Sequence, residues 1–120
     1  MYNPVNAVAL NNYAYFLSLD GIRLNDAREM SKKVLEMEPE NPTYIDTYAW
    51  ILFLDKEYEE ARAYIDKALE KVEDEPGDGS LYEHAGDIYF HLGARAEAIR
   101  FWQKAETLGG GTDLLKKKIK

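Results

Sequence analysis

The sequence predicts an all-α fold, a stack of three helical hairpins, on three observations. An eight-residue pattern recurs three times, apolar residues fall at helical rather than alternating spacing, and the predicted helix ends carry capping and stop residues.

The recurring octets are Ala27-Arg-Glu-Met-Ser-Lys-Lys-Val34, Ala61-Arg-Ala-Tyr-Ile-Asp-Lys-Ala68 and Ala98-Ile-Arg-Phe-Trp-Gln-Lys-Ala105, stepping by 34 and 37 residues. Upstream of each lies a second matching segment, Tyr13-Ala-Tyr-Phe-Leu17, Tyr48-Ala-Trp-Ile-Leu52 and Ala85-Gly-Asp-Ile-Tyr89, stepping by 35 and 37. The one-residue difference in the first step falls in the turn Asp20 to Asn25, where an insertion costs least. The longer second step is absorbed by the connection from Glu73 to Ser80.

Along each second segment the apolar side chains follow one helical face, as in Ala61, Tyr64, Ile65, Ala68, Leu69 and Val72. Asn41-Pro42 reads as an N-cap with proline at the first helical position, and Ser80 to Glu83 has capping-box spacing. Gly93 and Gly109 stand where a left-handed residue ends a helix. The expected helices pair as 6–19 with 25–37, 42–54 with 58–72, and 80–92 with 95–108, followed by a short helix near 112–119.

These segments resemble the tetratricopeptide repeat (TPR) family. The third repeat carries the likeness best, Ala85-Gly86-Asp-Ile-Tyr89-Phe-His-Leu-Gly93 running on to Trp102-Gln-Lys-Ala105. Small residues stand at Ala14, Ala49 and Gly86 on the first helices and at Ala27, Ala61 and Ala98 on the second, as the family requires where helices touch. Departures fall mainly in the first repeat: Ser31 replaces a large apolar residue and Val34 an alanine, and only Pro39 keeps the terminal proline. The resemblance implies a right-handed α-solenoid with repeats at about 7–41, 42–78 and 79–111. A capping helix at about 112–120 would lay Leu114, Leu115 and Ile119 over repeat three and leave its lysines in water. The segments Asn12-Tyr-Ala-Tyr15 and Asp46-Thr-Tyr-Ala-Trp50 are similar to those of bacterial members.

Composition narrows the function. The chain has 120 residues, 46% hydrophobic and 31% charged, enough for one domain with a real core. It has no cysteine, which excludes disulfides and thiolate metal sites. Lys116, Lys117, Lys118 and Lys120 contribute four positive charges, leaving −11 on the remainder of a chain whose net charge is −7. Such a body repels phosphate backbones and anionic lipid, against nucleic-acid binding. No apolar run approaches the roughly 18 residues of a membrane span, against membrane insertion. The opening Met1-Tyr2-Asn3-Pro4 lacks the regions of a signal peptide and runs directly into a patterned helix. It reads as a piece of a longer, soluble protein, cytoplasmic or periplasmic.

No chemistry of catalysis or cofactor binding stands out. His84 and His91 lie seven residues apart on one helix with Asp87 between them, too extended to converge on one metal ion, and are expected to be partly exposed. The run Glu73 to Ser80 lacks the alternating ligands of a calcium loop, and Gly109-Gly-Gly111 lacks the strand and lysine of a phosphate cradle. No nucleophile with a partnered base can be nominated, so the expectation is a protein that is not an enzyme and takes no cofactor or metal.

In the family the first helix of each repeat lines a concave groove. Its positions here are Val8, Asn11, Tyr15 and Ser18, then Thr43, Asp46, Trp50 and Phe53, then Ser80, Glu83, Asp87 and Phe90. The resemblance therefore implies a groove in which Tyr15, Trp50, Phe53 and Phe90 take an apolar anchor of a partner protein or peptide. Asp46, Glu83 and Asp87 would face its basic residues. The lysine, arginine and asparagine clamp that some members close on a C-terminal carboxylate is reduced to Asn11. Trp102, on a second helix, is expected in the core. Two alternatives stand beside the scaffold: the structural end of a longer array or a self-associating module, and the recruiting appendage of an enzyme elsewhere in a longer chain.

Overall fold

The computed structural model describes residues 4–19, 21, 23–72, 79–109 and 118, with the side chains of residues 4 and 5 left aside. Six helices follow in order: α1 Pro4–Ser18, α2 Leu24–Met37, α3 Pro42–Leu54, α4 Tyr58–Lys71, α5 Gly79–His91 and α6 Arg95–Thr107. Among the described residues there is no strand. The expected capping helix and the acidic connection at 73–78 lie outside the described residues, except that Lys118 is helical.

The ends form as their residues dictate. Asn41 caps α3 by accepting from the amides of Thr43 at 3.0 Å and Tyr44 at 3.4 Å, with Pro42 behind it where no amide hydrogen is needed. The hairpin turns share one device, a left-handed residue at the same register: Gly21 (φ 71°), Lys56 (φ 65°) and Gly93 (φ 86°). In the second and third turns the next amide reaches back five residues, Glu57 to the Leu52 carbonyl and Ala94 to that of Tyr89, both at 2.9 Å. Lys56 was not foreseen in this role, because lysine bears a steric cost there that glycine escapes. Gly109 (φ 74°) ends α6 as expected. Helix α5 begins at Gly79, so Ser80 lies inside its first turn.

Within each hairpin α1 packs on α2, α3 on α4 and α5 on α6, and the hairpins stack through α2 on α3 and α4 on α5. The main core gathers between the second and third units, where Ile45, Leu52, Ile65 and Ile88 are fully buried. The small residues Ala14, Ala27, Ala49, Ala61 and Ala98 are wholly inaccessible, as contact between helix backbones demands. Gly86 is smaller for a specific reason. A Cβ placed on it would lie 2.3 Å from the Trp102 ring, so the indole sits directly on the α5 backbone. Trp102 is 4% exposed and packs with Ala98 and Ala105, the core position expected of it.

Candidate functional site

Helices α1, α3 and α5 form one layer, α3 touching both of the others. The layer is curved: the rings of Tyr15 on α1 and His84 on α5 come within 6.3 Å of each other beside the intervening α3. This concave surface is floored by rings. Trp50 stacks on His84 (centroids 4.1 Å, planes 22° apart) and on Phe53 (4.9 Å, 21°). Phe53 meets His91 edge-on at 4.9 Å, and His91 stacks on Tyr58 at 5.3 Å. Phe90 continues the run, 6.1 Å from His91 and 5.6 Å from Trp102, and is itself 47% exposed. From Tyr15 to Phe90 the strip crosses all three hairpins without a break.

The carboxylates beside the strip are held by internal partners. Asp46 Oδ1 lies 2.8 Å from His84 Nδ1, and both side chains are close to buried. Burial disfavours a charged His84, yet the charge and hydrogen bond of Asp46, with Asp87 and Glu83 behind, outweigh it and raise the imidazole pKa. Trp102 Nε1 donates to Asp87 Oδ1 at 3.1 Å. Burial raises the Asp87 pKa first of all, opposed by the hydrogen bond and charge of Lys118. Lys118 Nζ donates to Glu83 Oε2 at 2.6 Å and reaches Asp87 at 3.0 Å.

Next to the Asp46–His84 pair a pocket of about 200 Å³ opens between α1, α3 and α5, with Asn11, Tyr15, Thr43 and Thr47 in its wall. Asn11 is 5% exposed and its Oδ1 has no hydrogen-bond partner among the described residues; the Trp50 indole Nε1 is likewise buried without one.

No family model matches the chain. A curated relative, the TPR repeat-containing protein PA4667 of Pseudomonas aeruginosa, is 32% identical over 71 residues, which are 59% of this chain and 12% of that protein. The chain therefore spans about an eighth of that relative's length. Among solved structures, PcrH in complex with the chaperone-binding region of PopB superimposes with a TM-score of 0.74 at 13% identity, covering 98% of this chain and 92% of that one. The Yersinia enterocolitica type III secretion translocator chaperone SycD gives 0.75 at 12% identity, over 98% and 91%. The TPR2AB domain of yeast Sti1 in its pHSP90 complex gives 0.73 at 22%, over 97% of this chain and 46% of that one.

The fold is that of the tetratricopeptide repeat. In this solenoid Tyr15, Asp46, Trp50, Phe53, Asp87 and Phe90 lie on α1, α3 and α5, and Asn11 and Glu83 on the same helices are buried. Two expectations need correction. His84 is 8% exposed rather than partly open, because it is clamped between Asp46 and the Trp50 ring. Lys118 does not remain in water, because two buried carboxylates hold its ammonium.

Sequence reasoning missed His84 and His91 as members of the strip. Their seven-residue spacing, which placed them on one face of α5, was the signal available. Tyr58 gave none, since it starts a second helix. Among the described residues no group of acids and histidines is placed to hold a metal ion, and no helix is long and apolar enough to cross a membrane.

Proposed function

We propose that this TPR unit is a protein-interaction scaffold that holds a segment of another protein along its concave face. The unbroken aromatic strip from Tyr15 to Phe90 carries the reading. Stacked rings offer an apolar surface at small entropic cost to a segment laid across them. PcrH and Sti1 are seen with a bound chaperone-binding region and with pHSP90 respectively, which supports the same use of this fold. The partner segment is apolar with basic residues. The loss of the carboxylate clamp sets the mode apart from capture of a free C-terminus.

Affinity capture from source lysate, followed by direct binding of the captured protein's segments, tests this. A Trp50→Ala, Phe90→Ala variant whose helicity is intact should lose the segment. Equal retention by parent and variant overturns the reading.

A second reading has its own observation. On α1 and just after it the side chains of Val8, Tyr13, Phe16 and Leu19 are between 48% and 68% exposed. Residues in register with two of these, Tyr48 and Ile51 on α3, are covered by stacking on α2. In this reading α1 stacks on a further helix, from a longer array or a second copy. Light scattering across a concentration series separates the two sources, since only the second copy raises the mass.

A further inference from the structure

Lys118 lies 31 residues beyond Asp87 and 35 beyond Glu83, yet its ammonium sits between their carboxylates. The site is largely dry. The Glu83 side chain is 4% exposed, that of Asp87 12% and that of Lys118 24%. Glu83 and Asp87 stand four residues apart on α5, a spacing at which like charges repel. Removing two carboxylates from water is strongly unfavourable unless a cation meets them.

The arrangement therefore calls for a cation at this point, and the chain provides one. Burial works against the charged form of Lys118, but the hydrogen bonds it donates to Glu83 and Asp87, with their charges, prevail and its pKa is raised. One nitrogen serves both carboxylates, which suits a compact ammonium with three rotatable donors better than a planar guanidinium. One turn along α5 the Phe90 ring is exposed, so an incoming stem would have an apolar surface to lie on.

We infer that the Glu83–Asp87 notch is a receptor for a primary ammonium, occupied by the chain's own Lys118, and that a lysine of a partner segment enters the groove by displacing it. The displacement half rests on the scaffold reading; occupancy by Lys118 does not. The notch also differs from Asp46, whose carboxylate is committed to His84.

The test uses the full chain and no partner protein, so failure of the scaffold reading leaves its readouts untouched. In proton–nitrogen spectra of the lysine ammonium groups, one resonance should be protected from exchange and should vanish in Lys118→Gln. Absence of a protected resonance overturns the inference. A fluorescent peptide of residues 112–120 is then titrated into the wild type and Lys118→Gln. A tail that fills the notch nine times in ten weakens the wild-type affinity about tenfold relative to the variant. The same peptide carrying Lys118→Gln or Lys118→Arg should bind far more weakly. A protected ammonium with equal peptide affinity for both chains also overturns the receptor, leaving Lys118 a strut. Circular dichroism and thermal unfolding check that Lys118→Gln keeps its fold, since the substitution leaves Glu83 and Asp87 without their cation.

Discussion

The first and third hairpins follow one plan and reach opposite states of completion. In the third, Trp102 fills the space above Gly86, its indole hydrogen serves Asp87, and Asp87 is held in turn by Lys118. In the first, the residue in register with Trp102 is Ser31, fully buried with a hydroxyl oxygen that has no partner among the described residues, and Asn11 carries another such atom. The outer face of α1 is bare, with Phe16 68% exposed, whereas its counterpart Ile88 in the third hairpin is fully buried. The same repeat register thus yields a closed unit at one end and an open one at the other. The difference lies in which residues fill equivalent positions, not in the backbone plan.

The largest effect should come from the closed end. Trp102→Ala is expected to cost about 3–5 kcal/mol, the usual loss for a large buried aromatic. Gly86→Ala should cost about 1–3 kcal/mol, because the new methyl collides with the indole. The two must not add. With Trp102 already alanine, Gly86→Ala should become neutral or gain up to ~1 kcal/mol from helix propensity. A double-mutant cycle in urea reads this, and simple additivity would show that the indole does not rest on Gly86.

Next comes the pair that joins the middle and third hairpins. Asp46→Asn should cost about 1–3 kcal/mol at pH 6, where a charged hydrogen bond to His84 is lost. The sign of its pH dependence follows from the raised His84 pKa. The pair contributes fully below the unfolded histidine value of 6.5 and fades as pH rises through the higher folded value. Wild type should therefore lose stability relative to Asp46→Asn on the alkaline side of 6.5. Parallel stability–pH curves for the two proteins would remove this linkage.

The contrast also explains what was legible in the sequence. Helix positions, the small-residue contacts and the left-handed glycines could be read because each follows from local spacing or from one residue's own conformational preference. The ring strip was legible in half, through Tyr15, Trp50, Phe53 and Phe90. His84 and His91 were not, because the histidine partners lie across helices: Asp46 is 38 residues from His84. The place of Lys118 is not legible, because a lysine run carries no mark of which carboxylate it will reach. Lys56 was invisible because glycine, not lysine, is the usual sign of a left-handed turn.

At the open end, repair should be possible. Ser31→Ala removes a buried hydroxyl whose oxygen has no partner and raises helix propensity, so stability should rise by on the order of 1 kcal/mol. The gain is read from a shift of the urea midpoint at constant slope. A loss instead would mean that the hydroxyl is satisfied in solution.

The smallest effect should be at Phe16. Phe16→Gln on the isolated chain should change stability by less than about 0.5 kcal/mol, since most of the ring is already in water. Truncating the covered counterpart, Ile88→Ala, should cost about 2–5 kcal/mol. Thermal unfolding at several protein concentrations makes the comparison decisive for α1. If Phe16→Gln is silent at every concentration, the open face is bare in the isolated chain. If it lowers the midpoint increasingly as concentration rises, a second copy covers α1, because only an associating species gains stability by mass action.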